Sequence, residues 1–142
     1  MTVESSASAT WDGELMRGRG SVRPASGAFA ELPLTWSQRA ESRESGTSPE
    51  ELLAAAHAGC FAMSLAFGLE SAGSFPQRLE TTAVVAFQPG KGILWISLSV
   101  RGRVPEMEQA DFLRVAEAAK VGCPISMALA GVPIALGEAT LV

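Results

Sequence analysis

The sequence contains no tract of basic residues and no interleaving of basic with aromatic side chains. Its 11 lysines and arginines are outnumbered by 15 acidic residues, for a net charge of −4. Such a chain offers little to a phosphate backbone or an anionic membrane, so neither nucleic acid nor membrane is expected as a partner. A small, uncharged or weakly charged substrate fits better. Residues Met1 to Ser8 are polar and acidic. They lack the basic start and apolar core of a secretory leader, which points to the cytoplasm. Cysteine is scarce too. Two in 142 residues are too few for the disulfide framework of a secreted scaffold, and in a reducing compartment such a pair is catalytic, metal-binding or inert. Repeats, linkers and low-complexity tracts are also missing. The chain is therefore read as one domain, 1–142, long enough to bury roughly two-thirds of its unfolded surface.

What the sequence does have is one long apolar stretch. Ser48 is a good helix N-cap, Pro49 suits the first helical position, and Glu51 completes a capping box, so a helix is predicted to start at about Ser48. From Leu52 to Leu69 the only polar side chains are His57 and Ser64, so this helix is apolar all round and should be covered on every side. A membrane span is disfavoured. Six alanines and a glycine between positions 54 and 66 supply little transfer energy, a histidine lies near the middle, and no Lys/Arg cluster flanks either end. The small residues Ala58, Ala62 and Ala66 instead recur every fourth position, which lets another helix approach closely; that helix could belong to a second copy of the chain.

Short strands are expected on either side. Ser8 to Trp11, a turn at Asp12-Gly13 and Glu14 to Arg23 read as a hairpin, followed by a turn near Ser26-Gly27 and a strand over Phe29 to Leu34. Thr35 to Thr47 reads as a polar loop carrying Trp36, Arg39 and Arg43. After the helix, Gly73 and Pro76 stop it. Leu79 to Gln88 and Ile93 to Arg103 then form a second hairpin across Pro89-Gly90-Lys91-Gly92. The glycine pairs at 18/20 and 90/92 are turn residues rather than a phosphate cradle. Glu108 to Lys120 has helical apolar spacing, Cys123-Pro124 opens a short helix to Ala130, and Ile134 to Val142 is a last strand. The class is α+β, with strands grouped around two main helices.

Two thiols and a few ionisable groups carry the chemistry. Cys60 lies about 12 residues, or ~18 Å, into its helix, beyond reach of the helix's own N-terminal dipole. Apolar surroundings would raise its pKa unless a cation comes beside it, and Arg39 and Arg43 are the candidates. Otherwise it is a buried inert thiol. Cys123, placed as an N-cap, is the thiol that local physics makes more acidic, so residue chemistry alone leaves open which sulfur attacks. His57, three residues before Cys60, is either hydrogen-bonded in the core or one ligand of a His57/Cys60/Cys123 metal site. Glu51 is occupied by capping, while Glu50 is free to pair with an arginine held over the helix start.

The run Ser48-Pro49-Glu50-Glu51-Leu52-Leu53-Ala54-Ala55-Ala56-His57-Ala58-Gly59-Cys60, followed by Val121-Gly122-Cys123-Pro124-Ile125-Ser126, resembles the OsmC/Ohr family of osmotically induced and organic hydroperoxide resistance proteins. The opening Trp11-Asp12-Gly13 and Arg17-Gly18-Arg19-Gly20 are similar to the OsmC branch. The resemblance implies a thiol-dependent peroxidase that folds as an intertwined α+β homodimer, antiparallel strands around long central helices, with sites at the subunit interface. It implies that Cys60 is the peroxidatic and Cys123 the resolving cysteine, joined in a disulfide during turnover. Glu50 matches the family's acid and Arg39 its activating arginine, with Arg43 as the alternative. It further implies an organic hydroperoxide as substrate, a lipoyl-type or small-thiol dithiol as reductant, and neither cofactor nor metal. Trp36, Phe61, Met63 and Phe67 are candidate walls of an apolar pocket. Two other readings are a family member without activity that binds a small apolar ligand, and a His/Cys metal-binding protein.

Overall fold

The computed structural model describes residues 1–41 and 46–142. The chain divides into two compact units, Met1–Leu52 and Leu53–Val142. In the first, β1 (Ala7–Asp12), β2 (Arg19–Pro24) and β3 (Leu32–Leu34) form an antiparallel three-stranded sheet in chain order. The segment read as loop contains a short helix, α1 (Trp36–Ala40). The Thr35 hydroxyl caps it by accepting from the Gln38 amide at 3.2 Å, a local bond that a scan for apolar periodicity does not register.

Helix α2 (Pro49–Ser71) begins where the cap signals place it. The Ser48 hydroxyl accepts from the Glu51 amide at 3.1 Å, and the Glu51 carboxylate is held by the Thr47 hydroxyl at 2.7 Å. Its far end closes in a Schellman arrangement: Gly73, at φ +83, donates to the Glu70 carbonyl, and Ser74 donates to Leu69.

In the second unit, β4 (Arg78–Gln88) and β5 (Gly92–Arg103) form an antiparallel hairpin. Pro89 and Gly90 occupy the central positions of its turn, with Gly90 at φ +80 and Lys91 donating back to Gln88. Helices α3 (Gln109–Gly122) and α4 (Pro124–Ala128) then lead to β6 (Ile134–Leu141). The α+β class holds, but the pairing is not antiparallel throughout, because β6 runs parallel to β5. Two helices intervene between these strands, and such a crossover is what a parallel pair requires.

Alternate residues of central β5 face the core: Ile96, Leu98 and Val100 are buried, as is Gly102. Phe112, Ala116 and Ala119 from α3 and Phe61, Leu65 and Leu69 from α2 complete the cluster. The Gln109 side chain ties the start of α3 to β6 by donating to the Ala139 carbonyl and accepting from the Leu141 amide. The expectation that α2 is covered on every side is not met within this chain. Only the stripe His57, Phe61, Leu65 and Leu69 is fully buried, while Met63 and Phe67 stay 76% and 73% exposed. By length and composition α2 could cross a membrane, yet three of its large apolar side chains belong to the core of this unit.

At Gly102 the sheet packs tightly against Phe112 of α3. A Cβ there would lie 2.7 Å from Phe112 Cζ, and that ring is fully buried. Gly102→Ala should therefore destabilise the protein by about 1–3 kcal/mol, read as a lowered urea midpoint. An unchanged midpoint would mean that the ring has room to move.

Candidate active site

Pro124 explains the position of one thiol. A residue before proline is pushed out of the helical region, and Cys123 takes φ −58 and ψ 129. That ends α3 and starts α4, leaving Cys123 as the C-cap of one helix and the N-cap of the next. Its sulfur meets that of Cys60, 63 residues earlier on α2, at 2.6 Å. Both are free thiols, Cys123 wholly buried and Cys60 partly exposed. The gap is about half an ångström longer than a disulfide bond.

At this distance the two sulfurs are hydrogen-bonded and the titration of each affects the other. Burial pushes the Cys60 thiol up from its ordinary pKa, and the bond with Cys123 adds to that. Burial alone would raise Cys123 as well, but the hydrogen bond from Cys60, the backbone amides of Ser126 and Ile125, and the Ser126 hydroxyl together bring it below its usual value.

An open apolar groove of about 1070 Å³ runs past the pair between α2 and α3, lined by Cys60, Met63, Ser64, Phe67, Val115 and Ile125 among others. Of the four predicted pocket walls, Met63 and Phe67 are in it. Phe61 is instead part of the core, because it lies on the helix stripe that faces the sheet, and Trp36 opens α1.

The other two predicted site residues also form a pair. The Arg39 guanidinium donates through Nη2 to Glu50 Oε1 at 2.7 Å and through Nε to both carboxylate oxygens at 3.0 and 3.2 Å. Glu50 is buried, and the Arg39 side chain remains 36% exposed. The structure thus gives the predicted residues as two pairs, one in each unit. Arg43 lies outside the described residues.

His57 makes the core hydrogen bond that was one of its two readings, but its partner Ser126 was not foreseen. His57 Nε2 lies 2.7 Å from the Ser126 hydroxyl, and both residues are buried. This is the core hydrogen bond that a lone apolar-helix histidine requires, but its partner lies 69 positions away, and nothing except the motif Cys123-Pro124-Ile125-Ser126 hints at it. Among the described residues, no group of three or more His, Cys, Asp or Glu is placed to hold a metal ion.

The family model for OsmC-like protein matches residues 42–137. Over 132 residues the chain is 39% identical to the peroxiredoxin OsmC of Escherichia coli strain K12, covering 91% of this chain and 92% of that protein. The chain belongs to the OsmC-like family. As a member it is a cysteine-based peroxidase. The fold agrees with solved relatives. An OsmC-like protein from Mycoplasma pneumoniae superposes with a TM-score of 0.73 at 14% identity over all of both chains. The organic hydroperoxide resistance protein OhrB of Bacillus subtilis gives 0.68 at 22%, covering 94% of this chain and 97% of that one.

His57 is the only histidine, which isolates one pH effect in this OsmC-like protein. Burial lowers its folded pKa. Below about pH 6.5 the unfolded chain therefore binds a proton that the folded chain refuses, and stability falls as pH falls, until the folded imidazole protonates too. Unfolding free energies from urea titrations between pH 7.5 and 5 should decline with a slope of up to ~1.4 kcal/mol per pH unit. His57→Gln should flatten this decline; an equally steep profile in the variant would assign it elsewhere.

Proposed function

We propose that this protein reduces organic hydroperoxides to alcohols through Cys60, with Cys123 as the resolving thiol and a dithiol as the final reductant. The observation that carries the reading is the 2.6 Å approach of the two sulfurs beside an apolar groove. The groove favours a hydroperoxide with a hydrocarbon body over hydrogen peroxide. The Cys60 thiolate attacks one peroxide oxygen, the O–O bond breaks, and the departing alkoxide takes up a proton to give the alcohol. Cys60 becomes a sulfenic acid. Cys123 attacks that sulfur, an S–S bond forms, and hydroxide leaves with the Cys123 proton as water. A dithiol of the lipoyl or small-thiol type then opens the disulfide by exchange and is itself oxidised.

Cys60 needs a cation for the first step, because burial raises its pKa. Arg39 supplies it in this reading. Glu50 clamps the guanidinium and fixes its direction, and the charge moves the shared proton toward Cys123 while stabilising the alkoxide. Glu50 and Cys60 are ten residues apart on α2, ~15 Å of helical rise. The Arg39–Glu50 pair at each thiol therefore comes from a second copy of the chain, and the enzyme is a cytoplasmic homodimer with its sites at the interface. The exposed Met63 and Phe67 give α2 an apolar face for that partner.

Peroxide consumption with cumene hydroperoxide, using dihydrolipoamide as reductant, tests the reading. Cys60→Ser should abolish turnover. Cys123→Ser should consume about one equivalent and then accumulate Cys60 sulfinic acid, detected by mass spectrometry. Full activity in Cys60→Ser, or protection of Cys60 in Cys123→Ser, would reverse the roles.

The interface is tested by mixing subunits. A heterodimer of Glu50→Ala and Cys60→Ser chains has one site in which both groups are intact, and its activity should rise above either homodimer toward half of wild type. No gain in purified heterodimers, with both parents folded, would remove Glu50 from the shared site.

A further inference from the structure

The open end of the β4–β5 hairpin, away from its turn, carries charges that play no part in the chemistry above. Leu79, Val100 and Gly102 face the core there, so strand alternation puts Arg78, Glu80, Arg101 and Arg103 together on the opposite, exposed face. The antiparallel register sets Arg78 directly opposite Arg103 and Glu80 directly opposite Arg101. Three of the chain's 11 lysines and arginines thus meet on a molecule of net charge −4, and they do so by strand pairing rather than as a basic run in the sequence. Together with Val142, whose amide donates to the Gly102 carbonyl at 2.9 Å, the four line a cavity of about 350 Å³.

These charges do not cancel. Glu80 accepts from Arg78 Nε at 2.7 Å, whereas neither Arg101 nor Arg103 forms a salt bridge among the described residues. The bond from Arg78 first, and the charges of Arg101 and Arg103 after it, hold the Glu80 carboxyl below its ordinary pKa. Like charges directly opposite on paired strands destabilise the pairing, so the Arg78–Arg103 juxtaposition is a cost that a bound anion removes. We propose that this cavity binds a small phosphate monoester. One carboxylate against three guanidiniums leaves two positive charges. A phosphate monoester, with its second pKa at about 6, is a dianion at neutral pH and matches them; a monocarboxylate does not. The guanidinium forks suit the tetrahedral oxyanion through paired N–H bonds. The volume, at the low end for small-molecule sites, takes one phosphate and a compact ester group rather than a nucleic-acid backbone. The cavity lies on the sheet face turned away from the core that α2 shares, and the proposal is independent of the peroxidase reading.

Isothermal titration calorimetry of the whole chain at pH 7.5, in chloride buffer at constant ionic strength, tests this with glycerol 3-phosphate, inorganic phosphate and acetate. Both phosphates should bind once per chain with a Kd of about 1 mM or tighter, and acetate at least about tenfold more weakly. Arg101→Gln and Arg103→Gln should each weaken phosphate binding by about tenfold. Glu80→Gln should tighten it severalfold, because it frees Arg78 and removes the one negative charge. In chloride alone Arg103→Gln should resist urea at least as well as wild type, since one of two opposed like charges is gone; its loss of binding is then a loss of the site and not of the fold. Phosphate binding that is unchanged in both arginine variants overturns the proposal, as does equal affinity for acetate or no binding at about ten times the expected Kd. Binding of inorganic phosphate with exclusion of glycerol 3-phosphate overturns the assignment to a monoester.

Discussion

A proline does not tolerate a helical residue before it, and much of the site depends on that restriction at Pro124. Without it α3 would continue, and the residue at 123 would be one more turn of an amphipathic helix. With it, Cys123 is extended, its sulfur turns to Cys60, and the amides of the next turn bear on that sulfur. The short helix that Pro124 opens also carries Ser126, whose hydroxyl lies within hydrogen-bonding distance of His57. One ring thus determines the capping, the approach of the thiols and the hydrogen bonds around them.

In the proposed dimer the pair lies between two electrostatic arrangements of different kinds. On one side, within one unit, are neutral groups that lower the pKa of Cys123: the backbone amides of Ser126 and Ile125 and the Ser126 hydroxyl. They favour charge on Cys123. On the other, in the proposed reading, is the full positive charge of Arg39 from a second copy of the chain, clamped by its buried Glu50 carboxylate. A guanidinium outweighs a few dipoles at similar range, so in the proposed dimer the arginine decides which sulfur is charged before peroxide arrives.

Much of this was legible in the sequence where a local rule sufficed. Ser48, Pro49 and Glu51 marked the start of α2, Gly73 its end, and Pro89-Gly90 the second hairpin, since caps and turns are set by residues a few positions apart. Apolar stretches likewise located β4, β5 and α3. What was not legible depended on distant partners. Helix α1 is set by a hydroxyl bond rather than by apolar spacing. The parallel register of β6 depends on the crossover as a whole, and the His57–Ser126 bond joins residues on different helices. The cover expected for α2 is supplied on one stripe only, since a composition that asks for burial does not say which chain provides it. The thiols and the Arg39–Glu50 pair were reached through the motif, whereas the arrangement around them required coordinates.

The parallel pairing of β5 and β6 also bears on the order of folding. Cys123 lies in the crossover between those strands, and such a connection must close a long loop before its contacts offset the entropy lost. Local pieces, the β4–β5 hairpin and the helices, form on faster timescales. The two sulfurs are therefore brought together by the slow, non-local class of contact. An emerging chain carries two separate, ordinary thiols, and its redox chemistry begins only when the fold is nearly complete.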